Sequence, residues 1–99
     1  MPAYVVAWTT VTDRDSMMRY GAALPAVVER YGGRFLFSGL GAKGLEGDWH
    51  ATGMAIIEFP SRDDAQRWYD SPEYAPLRAL RQAAGPTALV MTPDAAPGA

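Results

Sequence analysis

The sequence predicts an α+β sandwich in which a four-stranded antiparallel sheet carries two helices on one face. Three observations lead there. Hydrophobic periodicity switches between about two and about 3.6 residues in the order strand, helix, strand, strand, helix, strand. The two halves share a strand–helix–strand plan without any residue-level repeat. Finally, 99 residues with 48% apolar content suit one domain with a buried core and leave no room for a second.

The first strand covers residues 3–12, AYVVAWTTVT, rich in β-branched and aromatic side chains. Tyr4, Val6, Trp8 and Thr10 share one face, and Ala3, Val5, Ala7, Thr9 and Val11 share the other. Both faces are largely apolar, so both are expected to be covered. Asp13 or Asp15 then offers the N-cap of a helix reaching about Tyr31. Its stripe is Met17, Tyr20, Leu24, Val27, Val28 and Tyr31. Pro25 forfeits one backbone hydrogen bond inside it and predicts a kink. Gly32-Gly33 ends the helix.

Arg34 to about Gly41 forms the second strand, with Phe35 and Phe37 on one face and Arg34, Leu36 and Ser38 on the other. The glycines at 39, 41 and 44 predict a bulge or a close backbone approach. Met54–Phe59 is the most uniformly apolar strand, interrupted only by Glu58. Pro60 stops it, and Ser61 caps a helix with Asp63 and Asp64 near the positive end of its dipole. Ala65, Trp68 and Tyr69 give that helix its apolar side. Ser71-Pro72-Glu73 interrupts it and starts a second helical segment, which Leu77, Leu80 and Ala84 continue. The interruption is placed to leave backbone amides facing a ligand or a partner subunit. Gly85-Pro86 breaks this segment before a last strand at residues 87–92. The domain is therefore expected to span 1–92, with 93–99 a disordered Pro/Ala/Gly tail.

This element order suits a ferredoxin-like sandwich. Two helices cannot cover both faces of its sheet. A second copy packed on the uncovered face is the simplest cover, so the expected partner is self, as a homodimer through the sheet faces.

Composition narrows the function classes. A net charge of −2 without a basic stripe argues against nucleic acid as a partner. The absence of cysteine removes disulfides, thiolate nucleophiles and thiolate metal sites. The N-terminal stretch MPAYVVAWTTV reads as a strand rather than a leader, and no apolar run is long enough for a membrane span. The expected location is the cytoplasm, with no membrane partner. One histidine among scattered carboxylates shows no metal-ligand spacing, and no phosphate-binding glycine loop is present, so no metal or cofactor is expected.

Four motifs stand in order: GGRFL at 32–36, LEGDW at 45–49, IEFPS at 57–61 and WYDSPEY at 68–74. Together they resemble the DUF1330 family of the dimeric α+β barrel superfamily, over about residues 3–92. The resemblance implies a ferredoxin-like protomer whose sheet packs against its mate. Relatives in the wider superfamily include cofactor-free monooxygenases, haem-degrading enzymes, muconolactone isomerases and stress-response dimers. Fold alone does not choose among them. Two positions depart from the family pattern: Ser38, where many members carry a second basic residue, and His50, where proline is common.

The candidate catalytic residues are Arg34, Glu58 and His50. Arg34 is read either as a guanidinium holding a carboxylate or enolate, or as a salt-bridge partner of Glu58. Glu58, inside an apolar strand, suits proton transfer if burial raises its pKa; the alternatives are that pairing or an outward position. His50, the only histidine, is a possible general base or a solvated loop residue. Trp8, Ser38, Trp49, Tyr69 and Tyr74 are the expected substrate-binding set, since indole and phenol groups line pockets for flat ligands. Trp68 is expected in the core. The function predicted is a homodimeric small-molecule-binding protein, with cofactor-free proton transfer (isomerisation, cyclisation or decarboxylation) on a small carbonyl or carboxylate compound as the chemistry it could carry and catalysis itself left open. The alternatives are a non-catalytic ligand-binding or stress-response dimer and a cofactor-independent monooxygenase.

Overall fold

The computed structural model describes residues 2–93, so the expectation for the tail lies outside the described residues from position 94 onward. The elements are β1 (Ala3–Thr9), α1 (Arg14–Arg30), β2 (Arg34–Leu40), β3 (Gly53–Phe59), α2 (Arg62–Asp70), α3 (Ala75–Ala84) and β4 (Thr87–Met91). Strand order is β2-β3-β1-β4, with every neighbouring pair antiparallel. This is the ferredoxin-like arrangement, with the helices on one face of the sheet.

The alternation of β1 places Val5 against the helices, together with Ile57 and Phe59 of β3. Val28 of α1, Trp68 of α2 and Tyr74 at the α3 N-cap complete the set of fully buried large side chains. Trp68 sits 4.3 Å from the Tyr74 ring and 5.4 Å from Phe59, centroid to centroid. Its expected place in the core is thus realised. Truncating an aromatic of this kind costs about 3–5 kcal/mol.

Asp13 caps α1 by accepting from the Ser16 amide at 3.2 Å. The helix is one continuous element across Pro25 rather than two. Pro25 removes only the hydrogen bond owed to the Gly21 carbonyl four residues earlier. Gly32, with φ +80°, turns the chain out of the helix.

The break expected at Ser71-Pro72 separates α2 from α3, because Ser71 replaces a helical turn with its own hydrogen bonds. Its hydroxyl donates to the Trp68 carbonyl at 2.8 Å and accepts from the Tyr74 amide at 3.1 Å. The amides of Tyr74 and Ala75 also reach the Ser71 carbonyl, at 3.2 and 3.3 Å. The donors read as available to a ligand are spent inside the core. The bulge in β2 falls at Leu36 rather than at a glycine, between the pairs Phe35–Ile57 and Phe37–Ile56. An extra residue reverses the alternation. Phe35 therefore packs toward the helices while Phe37 lies on the opposite face, 49% exposed. Two of the three glycines serve the other expectation, close approach: a Cβ on Gly39 would meet the Phe37 ring at 3.2 Å, and one on Gly44 would meet the Trp49 Cβ at 2.6 Å, while Gly41 has open space around it and a φ of +85°.

Opposite the helices, the sheet presents Val6 and Trp8 of β1, Phe37 of β2, Met54 and Ile56 of β3 and Val90 of β4. None of these is fully buried. This is the uncovered apolar face foreseen from β1. Among the described residues, no helix is long and apolar enough to cross a membrane.

Candidate functional site

A partly open cavity of about 310 Å³ lies between the first half of α1 and the helix-facing side of the sheet. Met17, Gly21 and Leu24 of α1 form one wall, and Ala7, Ala55 and Ile57 form the floor. The bulge at Leu36 turns Ser38 onto this side, opposite Ala55, and Ser38 joins the lining. Thr9, Tyr20 and Arg81 supply the other polar groups. A largely apolar concavity with few polar groups is the usual form of a small-molecule site.

Arg81 comes from the last turn of α3, four residues after Leu77 and three before Ala84, all three buried. It is 4% exposed. Its Nε donates to the Tyr74 hydroxyl at 3.2 Å and its Nη1 to the Thr87 hydroxyl at 2.9 Å. Thr87 in turn lies 3.0 Å from the Thr9 hydroxyl. The Tyr74 and Tyr20 hydroxyls are 2.9 Å apart. Burial above all, then the neighbouring Tyr74, pushes the Tyr20 phenol far above its ordinary pKa. Its neutral, protonated form is thereby favoured.

Arg34 and Glu58 are paired on the other face of the sheet. Arg34 Nε donates to Glu58 Oε1 at 2.7 Å, with the arginine side chain 71% exposed. The hydrogen bond from Arg34 is the main cause holding the Glu58 carboxyl below its ordinary range. The raised pKa that would suit Glu58 to proton transfer is not what forms. The same carboxylate raises the pKa of Tyr4, which is opposite it in register, chiefly by hydrogen bonding.

His50 is exposed in the segment between β2 and β3, where its carbonyl accepts from the Thr10 hydroxyl at 3.0 Å. Trp8 and Trp49 contact each other at 6.0 Å on the uncovered side of β1. The indole N–H of Trp49 is buried without a hydrogen-bond partner among the described residues. Tyr69 lines a second concavity, of about 300 Å³, beside Trp68, Leu89 and Met91, with the Arg78 guanidinium 4.4 Å above its ring. Of the predicted set, only Ser38 lines the main cavity directly, and Tyr74 reaches it through Arg81 and Tyr20. Arg34, Glu58, His50, Trp8, Trp49 and Tyr69 lie elsewhere.

Arg81 is the residue that sequence reading missed. The signal is an arginine on the apolar stripe of α3, at a position whose helical neighbours Leu77 and Ala84 are core residues.

The family model for DUF1330, a domain of unknown function, matches residues 2–94. Among curated proteins, none matches significantly. Solved structures of the same fold include a protein of unknown function from Rhodopseudomonas palustris. It is 23% identical, with a TM-score of 0.76 over 97% of this chain and 84% of that one. A dimeric ferredoxin-like protein of unknown function from Jannaschia sp. CCS1 has TM-score 0.80 at 12% identity, covering 93% of this chain and 98% of that one. SnoaB, a cofactor-independent oxygenase from Streptomyces nogalater, has TM-score 0.65 at 18% identity, covering 96% and 93%.

Proposed function

Because the chain belongs to the DUF1330 family, a domain of unknown function, we propose from the site's own chemistry that it is a homodimeric protein binding a small, largely apolar organic molecule under α1. The observation that carries this reading is the 310 Å³ cavity itself, apolar in its walls and provided with a few polar groups at fixed positions. The homodimer is supported by the apolar sheet face, with Phe37 and Val90 49% and 47% exposed, and by the dimeric relative of the same fold. In this proposal Arg34 and Glu58 belong to that sheet face and His50 to its bordering loop. A cytoplasmic location remains part of this proposal; the absence of cysteine is neutral about compartment and fits a reducing one.

Ligand binding is favoured over protein-driven proton transfer. No carboxylate or imidazole is among the described residues lining the cavity, and Tyr20 is held protonated. A general base must sit within hydrogen-bond reach of the proton it takes. The likeness to a cofactor-independent oxygenase makes oxygen uptake with a quinol the readout for the monooxygenase alternative.

Gly21 offers a clean test. A Cβ there meets nothing within 4 Å, and the residue lines the cavity in mid-helix. Gly21→Leu gains about 0.8–1 kcal/mol of helix propensity while filling the cavity. The expected result is an equal or higher melting temperature and at least about tenfold weaker binding of the neutral fluorophore N-phenyl-1-naphthylamine, a loss of roughly 1.4 kcal/mol. Unchanged binding in the variant overturns the assignment of the cavity.

A further inference from the structure

We propose that Arg81 is an anion anchor in this cavity, and that the ligand is a flat apolar molecule bearing one ionised carboxylate or enolate; this rests on the cavity being the ligand site. A guanidinium keeps its charge under all ordinary conditions. Buried charges are therefore normally neutralised by an acid within ion-pair distance. Arg19, Arg34 and Arg67 follow that rule on the surface, facing Asp15, Glu58 and Asp64 at 2.7 to 3.1 Å. Arg81 is the reverse case: 4% exposed, with no carboxylate within 4 Å among the described residues.

Its protein partners are neutral. Tyr74 accepts one hydrogen bond from Nε and Thr87 one from Nη1, so two of the five guanidinium N–H groups are used there. The C-terminal end of α3 supplies only a partial negative charge. These contacts hold the guanidinium plane in place without satisfying it, which leaves part of its fork available to the cavity it lines. The order Thr9, Thr87, Arg81, Tyr74, Tyr20 is a connected chain of hydroxyls about a single cation. The Thr87 hydroxyl donates to the Trp8 carbonyl at 3.1 Å, so the Thr9 and Thr87 protons are spent within the chain, and the donors left for an oxyanion are the unused N–H groups of Arg81 and one phenol proton of the Tyr20–Tyr74 pair. One cation amid apolar walls fits a singly charged carboxylate or enolate. A phosphate dianion would call for more donors than the lining offers.

The test is a matched pair of probes, 2-naphthoate and 2-naphthamide, which share shape and differ in charge, titrated by calorimetry. The wild-type protein is expected to bind the carboxylate at least about tenfold more tightly than the amide. Arg81→Met is expected to lose that preference while keeping or raising its melting temperature, since it removes an unpaired buried charge. Equal affinity of the wild type for both probes, or a preference that survives in Arg81→Met, overturns the proposal. If both probes bind equally and Gly21→Leu blocks both, the cavity reading stands and only the role of Arg81 falls. If neither binds, the cavity reading falls and takes the anchor with it. Arg81→Lys is the second variant should the methionine protein fail to fold. It keeps a charge without the fork and is expected to show a reduced preference for the anion; a preference for the amide overturns the proposal.

Discussion

Arg34 and Glu58 face each other across the β2–β3 ladder, and the guanidinium Nε donates to the carboxylate at 2.7 Å. The pair lies on the sheet face away from the helices, and it holds the carboxyl of Glu58 below its ordinary value of 4.5. A depressed folded-state pKa means that the unfolded chain binds the proton more tightly. The pair's stabilisation is therefore complete above the unfolded pKa and is lost as pH falls through the folded one. Glu58→Gln should melt below the wild type at pH 7, and the gap should close as the pH is taken from 5 toward 3. A gap that widens on acidification would contradict the assignment.

Gly85 carries the strictest backbone requirement. Its φ is +145°, and a Cβ there would lie 2.0 Å from the Thr10 carbonyl oxygen. Its neighbours are committed as well: Ala84 accepts from the Thr12 and Asp13 amides, and Pro86 from the Thr10 amide. Gly85→Ala therefore couples about 1–3 kcal/mol of backbone strain with a clash that nothing nearby can relieve. Urea unfolding is expected to show a loss of at least ~3 kcal/mol. A loss near that of an ordinary glycine-to-alanine change in a loop would disprove the close contact.

Ser71 holds α2 and α3 at their junction through a hydroxyl that is both donor and acceptor in the core. Ser71→Ala leaves the Tyr74 amide with only its longer bond to the Ser71 carbonyl. The expected cost is about 1–2 kcal/mol in chemical denaturation. Ser71→Thr, which keeps the hydroxyl, should recover part of it, a recovery that a simple volume effect would not give.

The homodimer is tested on the uncovered sheet face. Val90 stands opposite Val6 in register and is 47% exposed. Val90→Lys places a charge in the proposed interface and leaves the helix-side core untouched. Light scattering after size exclusion should give a dimer for the wild type and a monomer for the variant at micromolar concentration. A monomeric wild type refutes the dimer outright.

The order of elements along the chain, both helical stripes and the core position of Trp68 were legible because each rests on periodicity, which a single sequence displays directly. The face of Phe37 was not. The bulge at Leu36 has no glycine or proline to announce it, while the glycines at 39 and 44 serve ring contacts instead. That one-residue error hid the reason Ser38 belongs to the cavity. Ser71 reads from sequence as a helix cap beside an open N-terminus, and only its burial shows that its bonds close the core. The pairing of Arg34 with Glu58 was one of two readings on offer, and strand register decided between them. Arg81 was overlooked because an arginine on a helix is ordinarily solvent-facing. Its spacing from Leu77 and Ala84 was the contrary sign.

The cavity shares Tyr20, Leu24 and Ile57 with the core, but other residues belong to one and not the other. Trp68, Tyr74 and Phe59 hold the fold together without lining the cavity, whereas Met17, Gly21 and Ser38 line it without being fully buried. Substitutions at those three positions can reshape the receptor while the costly packing is left alone. A lineage built on this chassis can change what it recognises through mutations that are nearly neutral for folding.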